Sequence, residues 1–80
     1  MGWSMPKPQL LRDLLRDARE RSGKRQDQIA AAMGVTQPCV TRWEGGQSMP
    51  RDLRRAAKVY GIDAARLIAA FVAERQRRAS

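Results

Sequence analysis

The sequence has no histidine and a single cysteine, Cys39. One thiol cannot close an intrachain disulfide, and without imidazoles the usual zinc spacings cannot be assembled, so no metal and no cofactor is expected. Carboxylates are scarce too, at 8 against 16 Lys+Arg, and they are spread along outer helix faces. No general acid-base constellation can be drawn from them, which argues against an enzyme. Aromatic residues make up only 5% of the chain, too few for a rich aromatic ligand pocket. No apolar run approaches the roughly 20 residues that cross a bilayer, and the opening MGWSMPKPQLL lacks the long apolar stretch of a secretory signal. A cytoplasmic protein with no membrane partner is expected.

What is present is helix-forming sequence and positive charge. Ala, Leu, Arg and Gln dominate, and the apolar residues recur at helical spacing. Eighty residues suffice for one small domain, a size at which a second copy often helps to hold the fold. The net charge is +8. Up to Pro50 there are 8 basic and 5 acidic residues, and beyond it 8 and 3, so the excess is larger in the second half. Such an excess on a small helical domain has two readings, a polyanionic partner such as nucleic acid or plain solubility.

Five segments carry a period of about 3.6. Leu11, Leu14, Leu15 and Ala18 define a first helix, with Pro8 near its first position and Gly23 just past its end. Asp17 and Arg21 on its outer face form a favourable i,i+4 pair. Ile29, Ala30, Met33 and Val35 define a short second helix, started near Asp27 and ended by Gly34. Val40 and Trp43 mark a third, closed by Gly45 and Gly46. Leu53, Ala56, Ala57 and Tyr60 mark a fourth, which the reading starts at Pro50 and ends at Gly61. The fifth opens at Asp63, a plausible N-cap, and carries Leu67, Ile68, Phe71 and Val72. No strand-like alternation interrupts them, so the fold class is all-α. The Ser-Met-Pro shared by Ser4 and Ser48 is a reused helix start, not a repeat.

The stretch GVTQPCVTRWEGG, Gly34 to Gly46, places Pro38 where a helix is already due to run. A proline is tolerated there because the N–H it lacks is one of the unpaired donors of a helix's first turn. It biases the preceding residue away from α geometry, so Gln37 is read as the cap itself, with the helix beginning one residue later.

From Gln26 to Gly45 the chain resembles the helix-turn-helix of the lambda-type phage repressor family, also called the xenobiotic response element family. Ile29, Met33, Val35, Val40 and Trp43 fall on its apolar positions, Ala30 where the two helices approach most closely, and Gly34 in the turn. The chain departs from the pattern in three places. Arg25 stands where the family has a Ser or Thr cap, Lys24 where it has an apolar residue, and the fourth helix is about two residues short. Both basic replacements add positive charge near a helix N-terminus, which a phosphate favours.

The resemblance implies a compact five-helix, lambda-repressor-like domain whose helices two and three form the motif. Residues 1–8 are expected to be an arm containing Trp3 and Met5, 9–73 the domain with its motif at 26–45, and 74–80 a basic tail. By the same resemblance Gln37, Thr41 and Arg42 read base edges in the major groove of double-stranded DNA. Phosphate contacts fall to Gln26, Thr36, Arg25, Lys24, Gln47 and Ser48, helped by bare amides of the loop from Gly45 to Ser48. Arg19 is expected to pair with Glu44 beneath the DNA surface, with Trp43 beside the pair. Cys39 is read as a small residue at a tolerant position, with a thiol switch as the lesser alternative.

Leu67, Ile68, Phe71 and Val72 form a stripe with two readings, a homodimer contact or the closing wall of the core. The implied function is a transcriptional regulator, a repressor acting on DNA as a homodimer in the nucleoid. The alternative is a protein-interaction module, such as an antitoxin with secondary DNA binding.

Overall fold

Each apolar period becomes a helix in the computed structural model, which describes residues 10–79. The helices are α1 (Leu11–Arg21), α2 (Gln26–Met33), α3 (Gln37–Glu44), α4 (Leu53–Tyr60) and α5 (Ala64–Ala79), with no strand among the described residues. Trp3, Met5 and Pro8 lie outside the described residues, and so does the proposed arm.

The core is assembled from one face of every helix. α1 contributes Leu11, Leu14, Leu15 and Ala18, α2 Ile29, Ala30 and Met33, α3 Val40 and Trp43, α4 Ala56, Ala57 and Tyr60, and α5 Leu67. Full burial of Leu14, Leu15, Ile29 and Leu67 contributes about 1.5–3 kcal/mol each relative to exposure. Val35, Met49, Leu53, Ile62 and Phe71 pack around this centre. Ala30 of α2 is buried in the core, so a longer side chain there would overpack it.

Helix ends explain the short elements. Gly34 closes α2 with φ 71°, a left-handed conformation that costs a side-chain-bearing residue energy. Its neighbour Val35 donates its N–H to Ala30 O at 3.0 Å, turning the chain sharply into α3. α4 begins later than the sequence suggests. Pro50 is buried in the connecting loop, and Asp52 is the cap, accepting from the Arg55 amide at 3.1 Å. At the start of α5 the Asp63 carbonyl accepts the Leu67 amide at 3.0 Å.

α5 runs antiparallel to α1. Arg66 near its start shares a surface cleft with Asp17, Glu20 and Arg21 at the end of α1. Arg78 near its finish reaches the turn after α3, which Arg12 in the first turn of α1 also covers. The helix continues through the basic segment to Ala79, and its last turns are laced by Glu74, which bonds both Arg77 and Arg78.

Candidate nucleic-acid interface

α3 stands on a buried carboxylate. Glu44, in its last turn, has a side chain only 4% exposed, and a buried charge is tolerated only when paired and hydrogen-bonded. Arg19 Nε donates to both of its oxygens, at 3.0 and 2.9 Å. The Tyr60 hydroxyl donates to Oε2 at 3.1 Å, and Gln26 Nε2 to Oε1 at 3.3 Å. One carboxylate thereby ties α1, α2 and α4 to α3. Arg19 also donates through Nη1 to Lys24 O at 3.1 Å, fixing the turn between α1 and α2. The hydrogen bond to Glu44 holds the guanidinium more firmly protonated than usual. Burial, with the Glu44 charge next in weight, pushes the Tyr60 phenol well above its ordinary range.

Tyr60 was missed by sequence reasoning, which took it for an apolar position of α4. The available signal was its phenol: a buried tyrosine needs a partner for its hydroxyl, and a carboxylate on a facing helix supplies one.

The network continues outward from Gln26. Its Oε1 accepts the Thr41 hydroxyl at 2.9 Å, and the same hydroxyl lies 3.2 Å from Gln37 O. The hydroxyl of Thr41 is therefore engaged inside the motif, although the residue as a whole is exposed. Gln37 and Arg42 are exposed, and neither side chain bonds another described residue.

Pro38 works differently from the expectation that made Gln37 the cap. α3 begins at Gln37 with Thr36 in the cap position, and Pro38 follows as the second helical residue. Thr36 makes no side-chain cap bond. Pro38 has no N–H, and the Cys39 amide is spent on Thr36 O at 3.1 Å. Within the first three residues of α3, only the Gln37 amide remains for an anion.

The basic residues ahead of α2 have partners of their own. Lys24 Nζ donates to Val59 O at 2.8 Å, clamping the α1–α2 turn to α4. Arg25 Nε pairs with Asp27 at 3.1 Å, a contact that pulls the Asp27 carboxyl below its usual range. Arg25 has no side-chain acceptor, so the cap of α2 is one-sided, with Gln28 Oε1 accepting the Arg25 amide at 2.8 Å.

The loop after α3 does not present bare amides. Gly45 N–H bonds Thr41 O at 2.9 Å, Gly46 N–H bonds Trp43 O at 3.3 Å, and the amides of Gln47 and Ser48 both reach Arg42 O, at 2.9 and 3.4 Å. The tight turn that ends the helix consumes the donors expected to bind phosphate. Gln47 keeps its side chain exposed, and Ser48 is half-buried.

On α5 the stripe divides. Leu67 belongs to the core of this chain, with no exposed surface, so it is withdrawn from the dimer candidates, and Phe71 packs against the same core. Ile68 and Val72 remain 41% and 46% exposed. Cys39 is half-buried in a cleft of about 480 Å³ lined also by Met33, Val35, Trp43 and Met49.

Two short helices joined by a glycine turn, with the second held by a buried carboxylate and its outer side chains exposed, define a helix-turn-helix module of the kind DNA-binding regulators carry. Residues 10–71 match the model of a helix-turn-helix domain family. The chain belongs to that family, in agreement with its lambda-repressor-like pattern. No curated protein matches the chain. No described helix is long and apolar enough to cross a membrane.

Proposed function

We propose that the chain is a sequence-specific transcriptional repressor that binds DNA as a homodimer, with α3 in the major groove. The observation that carries this reading is the foundation of α3. Three side chains, one each from α1, α2 and α4, converge on Glu44 of α3, so a helix of 8 residues is anchored at its last turn while Gln37 and Arg42 stay exposed. An anchored helix backbone holds the Cα positions of its reading residues in fixed register, so less freedom is lost on binding.

Arg42 suits guanine O6 and N7, Gln37 suits adenine, and the Thr41 methyl suits the thymine methyl. Gln26, Thr36, Arg25, Lys24, Gln47 and Ser48 surround this head as its phosphate contacts. Lys24 and Gln26 would share or exchange their present bonds on docking. In the dimer, Ile68 and Val72 meet their counterparts, and the two α3 helices address half-sites about 34 Å apart. Such a protein works in the cytoplasm, on the nucleoid.

The test is selection of bound duplexes from a random pool, followed by salt titration on the winner. A two-fold symmetric motif is expected. Arg42→Ala should relax one base position, at about 1–3 kcal/mol, whereas Arg25→Ala should weaken all sequences alike. Absence of any enriched motif overturns the reading. The apolar cleft beside Cys39 favours the second reading, a protein-interaction module of antitoxin type. That reading prevails if Gln37→Ala and Arg42→Ala leave DNA affinity unchanged.

A further inference from the structure

The turn that leaves α3 is where a DNA backbone would pass if α3 lies in the groove, yet its four amides are already spent within the chain. Any phosphate there must be met by side chains. Two guanidinium groups from opposite ends of the sequence are gathered at this turn. Arg78, near the end of α5, donates through Nη2 to Gly46 O at 2.7 Å. Arg12, in the first turn of α1, also lies against Gly46, so that a Cβ added there would meet its Cδ at 2.9 Å and its Nη1 at 3.1 Å.

Neither cation is fully used. Arg78 spends one further N–H on Glu74, at 3.0 Å, which leaves three of its five donors. The nearest acid to Arg12 is Asp13, 4.0 Å away, and that carboxylate bonds Arg16 at 3.1 Å instead. Arg12 makes no hydrogen bond to another described residue, and both side chains are 40–50% exposed. Two like charges converging on one glycine are a surface to which a phosphodiester is complementary, with forked donors that match its oxygens. Glycine at 46 is what allows Arg12 to lie that close, since a side chain would occupy its path.

We infer that Arg12 and Arg78, which both meet Gly46, form a clamp for phosphates of the DNA backbone that flank the groove entered by α3. The clamp rests on the DNA-binding reading and adds to it two contacts drawn from α1 and α5, outside the motif. It contributes affinity without sequence preference.

The experiment measures binding of the selected duplex by the full chain against salt concentration, for the wild type, Arg12→Gln, Arg78→Gln, the double variant and Arg78→Lys. Each lost phosphate contact should lower the slope of log Kobs against log salt by about 0.9, and the double variant by about twice that. The selected motif should stay the same, and Arg78→Lys should retain most of the wild-type slope. Melting temperature is read alongside, because two arginines that merely staple the turn would lower stability and leave the slope unchanged. An unchanged slope in the double variant overturns the clamp, whatever happens to stability, and leaves the DNA-binding reading intact. Failure of the wild type to bind any duplex overturns both. Should a glutamine variant not fold, Arg12→Met with Arg78→Met gives the same reading, since methionine keeps the apolar stem, removes both cations and should lower the slope to the same extent.

Discussion

Glu44 is the residue on which the molecule turns, because its charge is buried and three donors share it. Arg19→Ala should destabilise the fold by about 3–5 kcal/mol in denaturant unfolding, most of it the cost of leaving that carboxylate unpaired. Tyr60 offers a cleaner probe, since it is the chain's one tyrosine and every tyrosinate signal is its own. Its phenol is raised in the folded state, so its contribution to stability is complete below the unfolded value near 10. Above that pH the unfolded chain loses a proton that the folded chain keeps, and stability falls by up to about 1.4 kcal/mol per pH unit. Stability measured between pH 9 and 12 should show this slope, Tyr60→Phe should flatten it, and tyrosinate absorbance should appear together with unfolding. Ionisation of Tyr60 in the still-folded protein would contradict the burial argument.

At the scale of elements, the helices are short and their ends matter. Asp52 is the only residue of α2, α3 and α4 in the cap position whose side chain accepts a backbone N–H, so Asp52→Ala should cost about 0.5–2 kcal/mol. Thermal melting checks this, and a loss confined to α4 should show in hydrogen exchange of its first turn. Acid should loosen the end of α5. The hydrogen bond from Arg78, with Arg77 adding to it, holds the Glu74 carboxyl below its usual range. Its stabilising effect is therefore present above the unfolded carboxyl value near 4.3 and is lost as pH falls through the lowered one. Helicity of the last turns, followed by circular dichroism, should drop in that acid window, and Glu74→Gln should remove the transition.

Much of this was legible in the sequence. Existence and type of the helices followed from Leu11, Leu14, Leu15 and their successors, because burial of one face imposes the helical period. The boundaries were harder. Pro50 and Pro38 both look like first-turn residues; Pro38 is one, although the helix starts at Gln37 before it, whereas tertiary placement puts Pro50 in a loop. At the candidate interface, exposed positions such as Gln37 and Arg42 could be read from spacing. The pairing of Thr41 with Gln26, and of Lys24 with Val59 O, could not, since each depends on where two helices cross.

For the molecule as a whole, assembly is a matter of α5. With Leu67 taken by the core, two large apolar side chains are left facing outward on that helix, Ile68 and Val72, four residues apart and so on one face. An isolated domain of this size gains from covering them. The double substitution Ile68→Glu and Val72→Glu should yield a folded monomer in sedimentation equilibrium, with half-site binding kept and cooperative binding to the full site lost. A variant that sediments as the wild type does would remove α5 from the proposed dimer contact.

Pro38 has a last consequence, for how easily the protein could acquire a new target. A helix that greets DNA with a row of backbone amides is docked by parts that no substitution can alter. Here the proline has deleted one such amide and Thr36 O has claimed the next, so in the proposed complex position and choice of sequence would depend almost wholly on side chains. Each of these can be exchanged singly at an exposed site while the Glu44 foundation stays as it is. The arrangement separates what holds the helix from what it presents, and if α3 reads DNA as proposed, this small domain would be a retargetable scaffold.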